Sequence, residues 1–277
     1  MNVFLVNNEK NITESSQKEE IKYYDNIINI IENEFTSRNY DTNNIDKGQD
    51  EFIKTGKITT TLTTSENQKN NINNNMTKID LGECETKLRN FYNISVNESI
   101  YIKKIDIIQD DMNTLKVEYD VYAKLSGKNL IKLNLTACKK SKISISIPIV
   151  INDDLDKYNT SSGYYNDICY TTTSEDGTDI SLIDRQKEYN KDKIVCQENC
   201  DFLDYDYDTL VAKCSCNEKE SSDSFSDMSI NKDRILDNFK NIKNFMNFKF
   251  LICYKKLFNK NGIINNIIYY FLLFFFI

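Results

Sequence analysis

Hydrophobic positions along this chain repeat with two periods, and the switch from one to the other marks out its elements. Over residues 18–35, Ile21, Tyr24, Ile27, Ile28, Ile31 and Phe35 recur at three- and four-residue steps behind Ser15, Ser16 and Glu19. That spacing predicts an amphipathic helix with one core-facing stripe. A second helix is predicted over 81–92, where Leu81, Cys84, Leu88, Phe91 and Tyr92 share a face. Elsewhere the period is two. Leu115, Val117, Tyr119, Val121 and Ala123 alternate with Lys116, Glu118, Asp120 and Tyr122; Ile131, Leu133 and Leu135 alternate with Lys132, Asn134 and Thr136. Ile143, Ile145, Ile147, Ile149 and Ile151 alternate with serines, Pro148 and Val150, and residues 99–108 supply a further apolar run. KITTTLTT, at 57–64, has the β-branched composition of a strand. Short links and clean alternation predict an antiparallel sheet with one covered face. Pro148 lacks an amide proton and belongs at an edge or bulge, and Ser126-Gly127-Lys128-Asn129 reads as a hairpin turn. The fold class is therefore α+β, an antiparallel sheet with flanking helices over residues 20–151, behind an unstructured segment 1–19.

Beyond residue 151 the pattern changes. Five of the eight cysteines fall between Cys169 and Cys216, among tyrosines and aspartates. Residues 160–216 offer few large aliphatics, so the stretch 152–218 reads as a small disulfide-rich module that needs covalent staples. Cys84 and Cys138 are placed to tie helix to sheet. The other six, Cys169, Cys196, Cys200, Cys214, Cys216 and Cys253, admit many connectivities. A four-thiolate zinc site from Cys196, Cys200, Cys214 and Cys216 is the competing reading, disfavoured by the one-residue gap in Cys214-x-Cys216. SENQKNNINNNM, at 65–76, reads as a solvated connection. The serine-rich stretch 219–229 reads as a flexible tether. A juxtamembrane segment, 230–262, follows, with Ile235, Phe239, Ile242 and Met246 on one face to pack on the ectodomain or lie along a membrane. The apolar run 263–277 is shorter than the roughly 20 residues a bilayer requires. It reads as a partial transmembrane segment of a fragment, as a tail anchor, or as a buried end.

Composition removes whole classes of chemistry. With no histidine in the chain, Ser-His-Asp and Cys-His pairs and HExxH metal sites are excluded. The seven glycines fit neither a dinucleotide nor a phosphate loop. A net charge of -7 argues against a nucleic-acid partner. Asp204, Asp206 and Asp208 alternate as calcium ligands do, but Thr209 and Ser215 stand where an EF-hand loop has Gly and Glu. Asp153, Asp154 and Asp156 read the same way, as a solvated acidic loop. N-glycosylation sequons occur at Asn11, Asn75, Asn93, Asn97, Asn134 and Asn159, a number expected by chance in a chain so rich in Asn, Ser and Thr. Lys255, Lys256 and Lys260 before the apolar run favour a cytoplasmic N-terminal side. The cysteines favour an oxidising one and carry more weight. No cofactor or metal is implied, and no secretory signal is visible at the N-terminus.

Two resemblances add to this. Cys196-x3-Cys200 followed by Cys214-x-Cys216 resembles the central cysteines of an EGF-like module, whose pairing implies Cys169–Cys200, Cys196–Cys214 and Cys216–Cys253. The succession IDLGECETKLRNFYNIS, VEYDVY, SISIPIVI, YNTSSGYYNDICYTTTSEDGTDISL, VCQENC and AKCSC resembles a recurrent module of large, Asn-rich, uncharacterised protist membrane proteins, from about residue 22 onward. That resemblance implies an extracellular module before a membrane span, with no known activity. The expectation is a non-enzymatic, membrane-anchored ectodomain at the cell surface, glycosylated at Asn93, Asn97, Asn134 and Asn159 and meeting an extracellular ligand or protein. The alternative is a tail-anchored cytosolic protein with reduced or zinc-bound cysteines.

Overall fold

A computed structural model describes residues 14–110, 112, 114–125, 127, 129–174, 176–219, 224–237 and 239. The first predicted helix forms as α1 (Glu14–Phe35). It buries Tyr24, Ile31 and Phe35 and half-buries Ile21, Ile27 and Ile28, so the stripe faces the protein. There follow α2 (Asn43–Asp46), β1 (Glu51–Thr55), β2 (Ile58–Thr64), α3 (Ser65–Asn70), β3 (Lys78–Asp80) and α4 (Glu83–Tyr92). Then come β4 (Tyr101–Ile108), β5 (Leu115–Ala123), β6 (Ile131–Lys132) and β7 (Lys142–Pro148). The cysteine-rich half holds α5 (Gly163–Asn166), α6 (Leu182–Lys187), β8 (Cys200–Asp206), β9 (Val211–Asn217) and α7 (Lys232–Leu236). The α+β class with antiparallel strands and flanking helices is as expected.

The strands make two sheets where one was expected. One runs β1-β2-β4-β5-β6 and the other β3-β7-β9-β8, with every pairing antiparallel. Alternation faces the sheets toward each other: Ile102, Val117, Tyr119 and Val121 of the first share one core with Ile143, Ile145, Ile147, Ala212 and Cys214 of the second. Each large aliphatic so buried contributes about 1.5–3 kcal/mol.

This topology moves the boundary expected at residue 151. Strand β9 lies along the whole of β7, with Ile143 opposite Cys216, Ile145 opposite Cys214 and Ile147 opposite Ala212. Residues 200–217 are thus half of the second sheet and belong to the same core. Pro148 ends β7, where its missing amide proton costs the ladder least. The rest of the cysteine-rich stretch builds a small core from tyrosines in place of aliphatics. Tyr164, Tyr165 and Tyr189 pack with Ile194, Ile230 and Ile235. Arg185, fully buried, donates to the carbonyls of Tyr170 (2.6 Å) and Asp167 (2.8 Å) and lies against the rings of Tyr164 and Tyr170.

The first sheet is covered on both faces, contrary to the expected half-solvated one. Lys103, Lys116, Glu118 and Asp120 project from its outer face, yet all are buried because α1 and residues 225–230 lie over them. They survive there by pairing. Lys103 meets Glu32 and Asp120, Lys132 meets Asp120 at 2.7 Å, and Lys116 and Lys219 meet Glu118 at 3.3 and 3.1 Å. Lys116 also approaches Glu198 at 3.8 Å. Lys103, Lys116, Lys132 and Lys219 thus balance Glu32, Glu118, Asp120 and Glu198. On the inner face Lys104, fully buried, pairs with Asp106 at 3.2 Å and donates to the Thr77 carbonyl at 2.6 Å.

The expected tether is partly structural. Phe225 stacks on Tyr24 with centroids 4.4 Å apart, and Met228 is 1% exposed. Lys116 donates to the carbonyls of Asp227 and Ser229 at 3.2 Å each. Ile235 is buried and Phe239 stacks on Tyr165 at 4.7 Å, the ectodomain-packing alternative for that stretch. Three smaller differences remain. Phe91 is exposed, because the helix closes two residues later at left-handed Asn93 (φ 53°) and Phe91 lies on the outer side. Residues 131–135 give only the short β6 before a 3-10 turn, Leu135–Cys138. The hairpin turn at 126–129 lies only partly among the described residues, although β5 and β6 pair as a hairpin requires. No helix among the described residues is long and apolar enough to cross a membrane. The expected membrane segment, 263–277, lies outside the described residues, as do residues 1–13 of the segment 1–19 that was expected to be unstructured; residues 14–19 of that segment are helical instead, the first turns of α1.

Three substitutions test this packing. Lys104→Met strands the Asp106 carboxylate in the core and lowers unfolding free energy by about 3–5 kcal/mol in urea titrations, while Lys142→Met, in an exposed pair with Asp201, costs under about 1 kcal/mol. Met228→Ala lowers stability by about 2–5 kcal/mol if residues 225–230 are core, and leaves it unchanged if they are a tether.

Candidate recognition surface

The cysteines are placed by strand geometry. Cys214 and Cys216 are two residues apart on β9, so both point into the core from one face. Cys216 stands directly opposite Cys200, the first residue of β8, and bonds to it with Cα atoms 3.9 Å apart. Cys214 bonds to Cys196 at 5.7 Å, and Cys84, in the first turn of α4, bonds to Cys138 at 4.8 Å. The helix-to-sheet staple is as expected, and so is Cys196–Cys214. The pairing implied by the EGF resemblance is otherwise overturned, because register gives Cys200 to Cys216 and leaves neither for Cys169 or Cys253. Cys169 is itself disulfide-bonded; Cys253 lies outside the described residues. The C-x-C gap that argued against a zinc tetrahedron is thus the spacing of two cystines on one strand face.

The acidic runs are absorbed locally. Asp153 pairs with Lys193 (2.9 Å) and Lys157 (3.0 Å), and the Lys193 hydrogen bond holds its carboxyl well below the usual range. Asp154 caps a 3-10 turn by accepting the Asp156 amide at 3.1 Å. Asp206 accepts from Thr209 and Asp208 within the β8–β9 turn. Among the described residues no group of three or more Cys, Asp or Glu converges as metal ligands do. Of the sequons, Asn93, Asn97 and Asn134 are exposed and Asn159 is half-buried, its side chain accepting the Ser161 amide at 2.9 Å. Asn134 lies beside the C-terminal end of α4, since its amide donates to the Tyr92 hydroxyl at 2.9 Å.

The cleft of interest was hidden in the stretch read as a solvated connection. Thr64 accepts the Asn67 amide at 3.0 Å and so starts α3. Gln68, buried, accepts the Ile79 amide at 3.2 Å and fixes the helix to β3. Asn67 then spans to the Ile45 carbonyl (2.9 Å) and to Asp50 (2.8 Å), while Asn71 and Asn73 each accept an amide two residues on. Beside this framework opens a cleft of about 450 Å³, lined by Asp50, Phe52, Asn70, Ile72 and Met76 among others. Phe52 is 50% and Ile72 93% exposed. Amide groups with an apolar rim and one carboxylate suit hydrogen-bonded, half-apolar partners such as an extended chain. The readable signal was Thr64 with a helix-forming SENQKN behind it.

A second cleft, about 320 Å³, lies where Lys57, Asp110, Phe225 and Ile230 meet. Lys57 is held there by Asp110 (2.7 Å) and Glu20 (2.9 Å), and the Asp110 hydrogen bond pushes its pKa up to about 12. That is the opposite of what a nucleophilic lysine requires. The Tyr122 phenol, in the outer-face network, is driven far up by burial and by Asp120 and Glu32, so it serves as a neutral donor to Glu32 at 2.6 Å. The chain matches no family model, no curated protein and no solved structure.

Non-reducing proteolysis with mass spectrometry is expected to recover peptides joined through Cys84–Cys138, Cys196–Cys214 and Cys200–Cys216. A Cys169–Cys200 peptide contradicts the register. The Cys84→Ser/Cys138→Ser double variant is expected to lose about 2–4 kcal/mol of stability in denaturant titrations.

Proposed function

We propose that this protein is a non-enzymatic, disulfide-bridged recognition or coat module of a cell-surface protein, anchored to a membrane through its C-terminal segment and part of a larger chain. The observation that carries the reading is the cystine framework: each of the seven described cysteines is bonded, and such bonds persist in oxidising compartments. Other features support it. The buried lysines and carboxylates pair with one another between packed layers and line neither of the two clefts described above. The larger cleft is open, amide-lined and bordered by exposed apolar side chains, which suits an extracellular ligand or protein and not a nucleic-acid backbone. Exposed Asn93 and Asn134 lie at the C-terminal end of α4, and exposed Asn97 follows four residues on; all three fit a glycoprotein. The second reading, a tail-anchored cytosolic protein, draws on the lysines before the apolar run; against it, Cys196, Cys200, Cys214 and Cys216 divide into two bridges.

The chain is to be translated with microsomes and its mass measured before and after reduction. The proposal predicts protease protection of the cysteine-rich region, glycans at Asn93, Asn97 and Asn134, and a mass gain of two hydrogens per bridge on reduction. Free thiols in a protease-accessible chain, with zinc bound when it is made in a reducing cytosol, support the second reading instead.

A further inference from the structure

Among the described residues strand β1 is the edge of the first sheet and pairs only with β2. Its middle residues Phe52, Ile53 and Lys54 are exposed; it carries no proline or bulge, and no helix among the described residues covers it, so it lacks these devices that blunt natural edges. We propose that this edge pairs antiparallel with β1 of a second copy of the chain, about a two-fold axis passing beside Phe52. An isologous contact of this kind closes on itself and forms a dimer, not a fibre.

The register follows from parity and charge. In a sheet continued across a two-fold axis, opposed residues must point to the same face, so their numbers sum to an even total. Centring on Phe52 sets Phe52 against Phe52, and Asp50 of each copy against Lys54 of the other. Two ion pairs then flank an aromatic pair, all on the face that carries the cleft. Centring on Ile53 sets Phe52 against Lys54 and makes no ion pair. Both charges are available for the first arrangement. Asp50 spends one carboxylate oxygen on Asn67, and Lys54 has no ion pair among the described residues. Lys54, which in a monomer guards the edge, finds its counter-charge in this register.

The pairing joins two five-stranded sheets into one and brings the two clefts beside Phe52 together across the axis. The partner's Phe52 and Lys54 become walls of each cleft, so the composite groove exists only in the dimer. This goes beyond the surface-protein reading and does not depend on it, because it concerns association of the chain wherever it resides.

Full-length chain, light and nitrogen-15-labelled copies mixed, is to be treated with a carbodiimide and digested. Within one copy Asp50 and Lys54 are about 13 Å apart along the strand, beyond zero-length coupling. An Asp50–Lys54 peptide of mixed isotope is therefore expected, together with a concentration-dependent dimer in sedimentation. Lys54→Asp or Asp50→Lys alone is expected to weaken dimerisation about tenfold, and the double exchange to restore it. Lys54→Arg is expected to keep the dimer while abolishing the cross-link. Unchanged circular dichroism shows that each variant has folded. A chain that stays monomeric at every concentration, or a dimer indifferent to these charges, overturns the proposal and leaves the edge to an extended segment of another protein.

Discussion

Everything in this fold depends on the pairing of β7 with β9. The segment before residue 151 supplies only β3 and β7 to the second sheet, a ribbon too narrow to cover the apolar face of the first. Strand β9 widens it, and β8 follows through their short connecting turn. The same pairing sets the inward isoleucines of β7 opposite Cys216, Cys214 and Ala212, so the strand that completes the core also carries two cystines. Covalent and non-covalent closure thus fall on one strand, and the bridges hold an element that closes a loop of some sixty residues from β7, where chain entropy opposes pairing most.

A second constraint acts on the opposite side. Burying lysines and carboxylates is costly unless each finds a partner of opposite charge in good geometry. Lys103 needs Glu32 from α1, and Lys116 needs the carbonyls of Asp227 and Ser229. These demands fix where the N-terminal helix and the C-terminal described segment lie. They add specificity of placement more than net stability, which comes from Tyr24, Ile31, Phe35 and Met228 packed around them. Gly56 shows how close the fit is: its φ of +55° makes the β1–β2 turn, and any side chain there would strike the Tyr24 hydroxyl, which accepts the Lys57 amide at 3.0 Å.

Periodicity revealed the helices and strands, because α1 and β5 each bury one regular set of positions. It did not reveal which sheet a strand joins. Alternation in β7 is the same whether its neighbour is β5 or β9, and only the distant cysteines carry that information. Nor does a period of two tell whether the polar face meets water, so Lys116, Glu118 and Asp120 read as solvated although α1 and residues 225–230 cover that face. Phe225 and Met228 were masked by the serines around them, two apolar residues being too few to register as an element. The cleft at Phe52 was masked by asparagine-rich composition, which resembles a disordered tract although its amides are turn-forming and capping groups here. The tyrosine core at Tyr164, Tyr165 and Tyr189 was missed because aliphatic content alone was weighed.

The picture that results is of a sandwich whose described cysteine-rich strands are part of its core and whose exposed cleft and edge strand sit together at β1. Native-state hydrogen exchange tests its central claim most directly. If β9 completes a single core, the amides of Ala212, Cys214 and Cys216 exchange only through the global opening that releases β4 and β5. If β8 and β9 exchange through a cheaper opening while β4 and β5 stay protected, the cysteine-rich end is a separate module and the account fails.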